Sequence, residues 1–187
     1  MSYFPDAIQE LRTVSISDYE DRVEYICRDL DDVTMEQGGW PAPFFQEVLN
    51  LLSDARFLSV RTSWHLVKFI KENWKYLSPA DVSSLKNILA KAFDKFGDFM
   101  GAFLAAEILG RFYPDQNTLA TLITLNRICK PPARELVPLG LEKLARTTDD
   151  QALRQSAVRE LNALLEDDLE AVRYEAALSL DRIERTK

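Results

Sequence analysis

The sequence predicts an all-α fold. Apolar residues recur at spacings of three and four in nearly every segment, and no stretch keeps the alternation typical of a β-strand. The six glycines do not form a phosphate-binding loop, which opposes an α/β nucleotide-binding fold. The length of 187 residues suits one domain or a short array of repeats. We expect a single all-helical domain, less regular over residues 1–76 than over residues 78–187.

The N-terminal part is expected to form four helices, with a break at Gln37–Pro43. Ser17 and Glu20 form a capping box, in which each side chain satisfies a free amide at a helix start. Pro43 suits the first turn of a helix that follows a Gly-Gly-Trp-Pro break. Residues 54–63 carry no clear pattern. The predicted helices are Asp6–Val14, Ser17–Asp32, Pro43–Ser53 and Ser63–Trp74.

From residue 78 onwards the helices recur at a regular spacing. Alternate helices begin near Pro79, Asp115 and Asp149, at separations of 36 and 34 residues. A period near 35 built from two helices is typical of an α-solenoid, in which neighbouring repeats bury each other's apolar faces. The predicted helices are Ser78–Phe96, Asp98–Phe112, Asp115–Cys129, Pro132–Arg146, Thr148–Leu165 and Asp167–Arg185.

Individual residues in this region resemble a HEAT-type helical repeat. Pro138 falls inside one helix, Asp150 in the following turn, and Leu153, Arg154 and Ala157 in the next helix; Asp168, Val172, Arg173, Ala176 and Leu180 repeat the pattern. The resemblance covers residues 135–183, more faintly 78–130, and implies a HEAT/ARM-like stack of antiparallel helix pairs. Because the pattern occurs in two successive helices, it leaves open which helices pair. Arg154 and Arg173 are expected to bind acids of a neighbouring repeat.

The net charge of −7 is unevenly distributed. Ser17–Glu36 holds eight acids against two arginines, and Asp149–Glu170 holds seven against two, whereas Asp54–Lys95 holds eight bases against four acids. Two acidic blocks oppose a broad surface for polyanions, so nucleic acid is not the expected partner.

The residues needed for catalysis or metal binding do not cluster in the sequence. The single histidine, His65, has no nucleophile motif beside it, and we expect it to be structural. Cys27 and Cys129 lie far apart and are interpreted as free thiols of a reducing compartment. Neither a signal peptide nor a membrane span is indicated. We therefore expect a cytoplasmic protein that is not an enzyme and that uses no cofactor or metal.

The most specific functional signal is an acidic face on the helix predicted for residues 17–32. Its members recur at helical spacing and are Asp18, Asp21, Tyr25, Asp29 and Asp32. A tyrosine ringed by carboxylates is typical of an interface anchor, since the ring buries area and the acids attract a cationic partner. A solvated charged face is the alternative. Trp40, in the Gly-Gly-Trp-Pro break, is a second candidate contact or a packing residue.

These observations favour a protein-binding module with a basic partner. The most concrete hypothesis is an immunity protein that blocks a basic bacterial toxin nuclease, its acids imitating the phosphates that the nuclease binds. A HEAT-like adaptor subunit is an alternative. A second alternative is an enzyme, because HEAT-like DNA glycosylases act on alkylated bases. A basic stripe lies beside Trp64 and Trp74 in the sequence and consists of Lys68, Lys71 and Lys75, continued by Lys86, Lys91 and Lys95.

Overall fold

The computed structural model describes residues 3–14 and 21–185, and most of these residues are helical. They form eleven α-helices and four short 3-10 helices, and no strand occurs among them. The predicted all-α class is therefore confirmed. The chain divides into two compact units, Met1–Gly101 and Ala102–Lys187, and the division falls within the first turn of the seventh helix.

The first unit is built from the helices α1 to α6 and the start of α7. Their bounds are Tyr3–Thr13 (α1), Asp21–Gln37 (α2), Ala42–Ser53 (α3), Ala55–Leu58 (α4), Trp64–Glu72 (α5), Pro79–Ala92 (α6) and Phe99–Phe112 (α7). Two 3-10 turns, Arg61–Ser63 and Trp74–Tyr76, follow α4 and α5. Helix α1 packs on α2 and α3, α2 on α5, and α3 on α6.

Helix α2 is longer than predicted and ends at two glycines. It continues to Gln37, where Gly38 takes the left-handed conformation with φ of 69°. The amide of Gly39 donates to the Thr34 carbonyl at 3.0 Å, and that of Gly38 to the Met35 carbonyl at 3.3 Å. This is the Schellman arrangement, which satisfies the last free carbonyls of a helix. The capping box predicted at Ser17 and Glu20 lies outside the described residues.

Residues 54–63, which carry no clear pattern in the sequence, fold into α4 and a 3-10 turn. Asp54 ends α3 and also caps α4, accepting a hydrogen bond from the Arg56 amide at 2.9 Å. Helix α4 buries Phe57 and Leu58 almost completely. Such a short helix completes barely one turn, so its apolar pair cannot establish a period of 3.6 in the sequence.

The second unit is arranged around one helix that is buried on nearly every side. Its remaining helices are Gln116–Ile128 (α8), Val137–Thr147 (α9), Gln151–Ala163 (α10) and Glu170–Glu184 (α11). Helix α9 packs against α8, α10 and α11. The 3-10 turn Ala133–Leu136 precedes α9, so Pro138 lies in the first turn of α9 and not inside a longer helix. A proline is tolerated there because the amide it lacks would be unpaired.

Three local predictions for this unit were wrong in detail. The helix predicted to begin with a cap at Thr148 begins at Gln151, as α10. Its cap is Asp150, which accepts from the amides of Ala152 and Leu153, whereas Thr148 Oγ1 accepts from the Asp150 amide. Arg154 donates to the backbone carbonyls of Ala145 and Thr148 at 3.0 and 2.9 Å, not to acids of another repeat. Arg173 likewise donates to the carbonyls of Asp167 and Asp168. Each guanidinium thus closes the turn before its own helix.

Across the described part of the chain, no helix combines the length and the apolar character that a membrane span requires.

Candidate functional site

Helix α2 presents one face to the first unit's core and the opposite face to solvent. Val23, Ile26 and Leu30 are at most 4% exposed and pack inward, together with Cys27. Because an α-helix repeats every 3.6 residues, burial of this set turns Tyr25, Asp29 and Asp32 outward. All three are exposed.

The solvent side of α2 also contains an exposed residue that was not among the predicted contacts. Met35 is 66% exposed and lies on the solvent side of α2, ten residues after Tyr25, which is 51% exposed. We call the residues Tyr25, Asp29, Asp32 and Met35 the α2 stripe. It has an apolar side chain at each end and two carboxylates between them. The signal was present in the sequence, because Met35 continues the helical spacing beyond Asp32, where the predicted helix ended.

The ring of Tyr25 is covered by the guanidinium group of an arginine from the same helix. The guanidinium carbon of Arg28 lies 4.7 Å from the centroid of the Tyr25 ring. That separation is typical of a cation–π interaction, in which the electron-rich ring face attracts a cation.

Asp29 is approached by a side chain of α1. The hydroxyl of Tyr3 donates to Asp29 Oδ2 at 3.5 Å. Burial and the nearby Asp29 carboxylate raise the pKa of Tyr3 to about 12, so the phenol stays neutral and donates to the carboxylate. Both Asp29 and Asp32 keep exposed side chains that a partner can reach.

Two of the predicted acids cannot be placed on the α2 stripe. Asp18 lies outside the described residues. Asp21 is the first residue of α2, but only its backbone is described.

Trp40 is half-buried and packs within a cluster of aromatic rings. Its ring stacks on Phe45 with an interplanar angle of 7°, and its centroid lies 5.4 Å from that of Phe69. Phe44 and Tyr76 complete the cluster, each at 6.0 Å. The packing alternative for Trp40 is therefore present in the structure, and its role as a partner contact stays a prediction.

His65 is a buried side chain that packs against Trp64 and lies near Glu24. It is only 8% exposed, it stacks on Trp64 with centroids 3.6 Å apart, and its Nε2 lies 3.5 Å from a Glu24 carboxylate oxygen. Burial lowers the pKa of the imidazole although Glu24 opposes this shift. The neighbouring Ser63 hydroxyl donates to the Leu58 carbonyl at 3.1 Å, so it is directed to the backbone.

The described residues offer neither a reactive Cys27 thiol nor a cluster of metal ligands. Burial raises the pKa of the Cys27 thiol well above its usual range, which keeps it protonated and a poor nucleophile. In residues 3–14 and 21–185, no three histidine, cysteine or acidic side chains are grouped as metal ligands would be.

The predicted lysine stripe is less continuous than its sequence suggests. Lys86 is buried, at 8% exposure, and so does not extend a solvent-facing basic row. Lys68 lies 3.9 Å from Glu72, one turn further along α5. Lys75 lies over the Tyr76 ring at 4.8 Å.

Acids of the second acidic block have structural partners in the second unit. Asp150 caps α10, as described above. Asp167, whose side chain is 5% exposed, accepts two hydrogen bonds from Arg134, at 2.8 and 2.7 Å, and one from Asn126. Asp29 and Asp32 of the α2 stripe are exposed, as are Asp149 and Glu166 of the second block.

An apolar groove lies between α1 and α3 in the first unit. It has a volume of about 430 Å³ and is lined by Phe4, Ile8 and Phe44, with exposed prolines at its edge. Arg12 and Glu47 form an ion pair at the groove, so its polar end carries no net charge.

Comparison with known proteins gives no relative for this chain: it matches no protein-family model, and neither a curated protein nor a solved structure is significantly similar to it.

Proposed function

We propose that this chain is a non-catalytic protein-binding module whose α2 stripe takes a basic protein partner. The observation that carries the proposal is the composition of the stripe, in which Tyr25 and Met35 are 51% and 66% exposed and Asp29 and Asp32 lie between them. An aromatic and a long apolar side chain with carboxylates between them can supply both the contact area and the charge that one protein interface needs.

The two kinds of side chain have separate roles in the proposed interface. Ten residues of helix span about 15 Å, so Tyr25 and Met35 lie far enough apart to enter two different pockets of a partner. Their burial supplies affinity, since aromatic anchors dominate interface energetics. The carboxylates of Asp29 and Asp32 accelerate encounter with a cationic surface and fix the orientation of docking.

Within this class, the partner we propose is the active-site face of a basic bacterial toxin nuclease, with the chain as its immunity protein. A nuclease surface is cationic because it binds phosphates spaced along a nucleic acid strand. Carboxylates one turn apart on a helix present a comparable row of negative charge. Both cysteines are buried and form no disulfide, in keeping with the reducing cytoplasm in which such an inhibitor would act.

For the scaffold we propose HEAT-like helix pairs over residues 78–185. Helices α6, α8 and α10 begin at Pro79, Gln116 and Gln151, close to the repeat spacing expected from the sequence. Within this range, the packing of α9 against both α8 and α10 supports pairing of successive helices from α8 to α10.

The proposal is tested by reversing the charge at Asp29 and Asp32, the two carboxylates of the α2 stripe. Tagged wild-type protein and the D29K/D32K variant are used to capture proteins from the organism that produces the chain, and the captured proteins are identified by mass spectrometry. We expect the wild type to retain one basic protein in equal amount and the variant to lose at least nine-tenths of it. The matched control is D149K/E166K, which makes the same charge change at exposed acids of the second unit.

The outcomes separate the candidate functions. Loss with D29K/D32K and retention with D149K/E166K supports binding through the α2 stripe. Equal loss with both variants means that overall charge, and not this stripe, attracts the partner. A set of several subunits retained by all three proteins identifies an adaptor instead of an inhibitor.

A further inference from the structure

We infer that the ring of Tyr25 is a receptor for an arginine side chain of the partner, and that Arg28 occupies this receptor in the free protein. The inference rests on the proposed function, because it assigns the residue that the α2 stripe recognises and a contact that regulates access to it. It begins from the guanidinium group of Arg28, which lies 4.7 Å above the centroid of the Tyr25 ring.

A guanidinium group fits this position for two reasons. It is planar and weakly hydrated, so it can lie over an aromatic face with less loss of solvation than an ammonium group. The exposed carboxylates of Asp29 and Asp32 provide negative potential along the same stripe. A partner arginine would meet both features at once, whereas a lysine would gain chiefly from the charge.

Arg28 differs from the other arginine of α2. Arg22 donates through Nε to Glu10 of α1 at 3.0 Å, so it ties two helices together. Arg28 instead lies over Tyr25, one turn away on its own helix. Both arginines are exposed, and removal of either changes the charge of α2 by the same amount. Only removal of Arg28 uncovers the ring.

Arg28 and an arginine of the partner therefore compete for the ring of Tyr25. A partner arginine has to displace Arg28 before it can stack on Tyr25. Arg28 therefore weakens binding beyond the effect of its charge, and it discriminates against basic partners that cannot offer a guanidinium group to the ring.

The test uses a fluorescein-labelled nona-arginine peptide and its nona-lysine counterpart as probes. Binding to the wild type, R28A and R22A is measured by fluorescence anisotropy at low ionic strength, with helical content of each variant checked by circular dichroism. We expect R28A to bind nona-arginine about two- to fivefold more tightly than R22A, the range that one exposed cation–π contact represents. The same comparison with nona-lysine is expected to give a smaller difference.

A second pair of variants shows whether the ring is responsible. In a Y25F background the advantage of R28A over R22A is expected to persist, because phenylalanine keeps an aromatic face. In a Y25L background it is expected to disappear, which is the coupling that a double-mutant cycle measures. Equal affinities of R28A and R22A in the wild-type background, or an advantage that survives in Y25L, overturn the inference.

The D29K/D32K variant distinguishes failure of this inference from failure of the proposed function. Suppose that D29K/D32K binds nona-arginine less tightly than the wild type, while R28A and R22A bind it with equal affinity. The proposed role of the acidic stripe is then supported, and only the assignment of Tyr25 is overturned. If D29K/D32K binds the peptide as tightly as the wild type, or if the wild type does not bind it, both proposals are overturned.

Discussion

At the residue scale, the most consequential unpredicted feature is a buried carboxylate. Glu142 of α9 is 0% exposed and accepts hydrogen bonds from Arg146 at 2.8 Å and from Arg182 at 3.0 Å, while Lys143 Nζ lies 3.5 Å away. Burial raises the pKa of the Glu142 carboxyl, but the hydrogen bonds from Arg146 and Arg182, with the nearby charges, together lower it by more. The group is therefore charged in the folded protein.

We predict that E142Q destabilises the protein by about 1–3 kcal/mol, because the amide cannot accept two charged hydrogen bonds as the carboxylate does. Thermal denaturation followed by circular dichroism measures the loss. E175Q is the matched control, since Glu175 binds the same Arg182 at 2.7 Å but is partly exposed, and we expect it to cost less than about 1 kcal/mol. An E175Q loss equal to that of E142Q would contradict this account.

The same carboxylate predicts how stability depends on pH. The folded-state pKa of Glu142 lies below its usual value of 4.5, so the unfolded chain takes up the proton first as the pH falls. The stabilisation is complete well above pH 4.5 and is lost as the pH falls through the folded-state pKa. We therefore expect the stability difference between the wild type and E142Q to shrink between pH 6 and pH 3. A difference that stays constant over this range would show that the charge of Glu142 is not what stabilises the fold.

Sequence analysis could not identify Glu142. Its partner Arg182 is 40 residues away along the chain, and a glutamate next to a lysine is typical of a solvated helix face. Only the packing of α11 on α9 brings the two together. Tyr25, by contrast, could be selected because helical spacing alone places it opposite the buried residues of α2.

At the element scale, two helix starts with a local capping signal were predicted correctly, and a third was wrong: the helix predicted from Asp167 begins at Glu170, with Leu169 as its N-cap. The Ser78 and Asp81 capping box is present at the start of α6, and Asp115 caps α8. Prediction was poorer where two adjacent signals compete. Thr148 and Asp150 are both capping residue types, and the backbone turn that places Asp150 at the cap is closed by Arg154 after the chain folds.

Close packing between helices was not visible in the sequence either. A Cβ atom added to Gly110 of α7 would overlap the backbone carbonyl of Gly140 in α9, and it would lie 2.8 Å from Lys143 Cβ. Thr147 Oγ1 of α9 also donates to the Gly110 carbonyl, at 3.1 Å. The two helices thus approach closely at a position that a glycine makes possible.

We predict that G110A destabilises the protein by about 1–3 kcal/mol, although alanine favours a helix by about 1 kcal/mol relative to glycine. G140A is the control. Its new Cβ would lie 2.7 Å from Leu122 Cδ2, the end of a flexible side chain, so we expect a change within about 1 kcal/mol. Chemical denaturation of both variants measures whether G110A is the less stable of the two. A G110A protein as stable as the wild type would contradict the close approach of α7 and α9.

At the scale of the whole molecule, each acidic block contains some carboxylates that hold the fold together and others that remain exposed. Within the second block, Asp150 and Asp167 hold helix ends and turns together. In the first unit, Asp29 and Asp32 remain exposed beside Tyr25 and Met35. Net charge alone indicated an acidic protein, and only folding shows which carboxylates remain available to a partner.

The central claim is that this chain binds a basic protein through the α2 stripe, and site-specific photo-cross-linking tests it most directly. Benzoylphenylalanine is placed at Tyr25 or, as the control, at Tyr174 of α11, which is 65% exposed. The proteins are produced in the native host and irradiated. We predict that the probe at position 25 cross-links one basic protein and that the probe at position 174 does not. Cross-linking from position 174 alone, or of the same proteins equally from both positions, would contradict the claim.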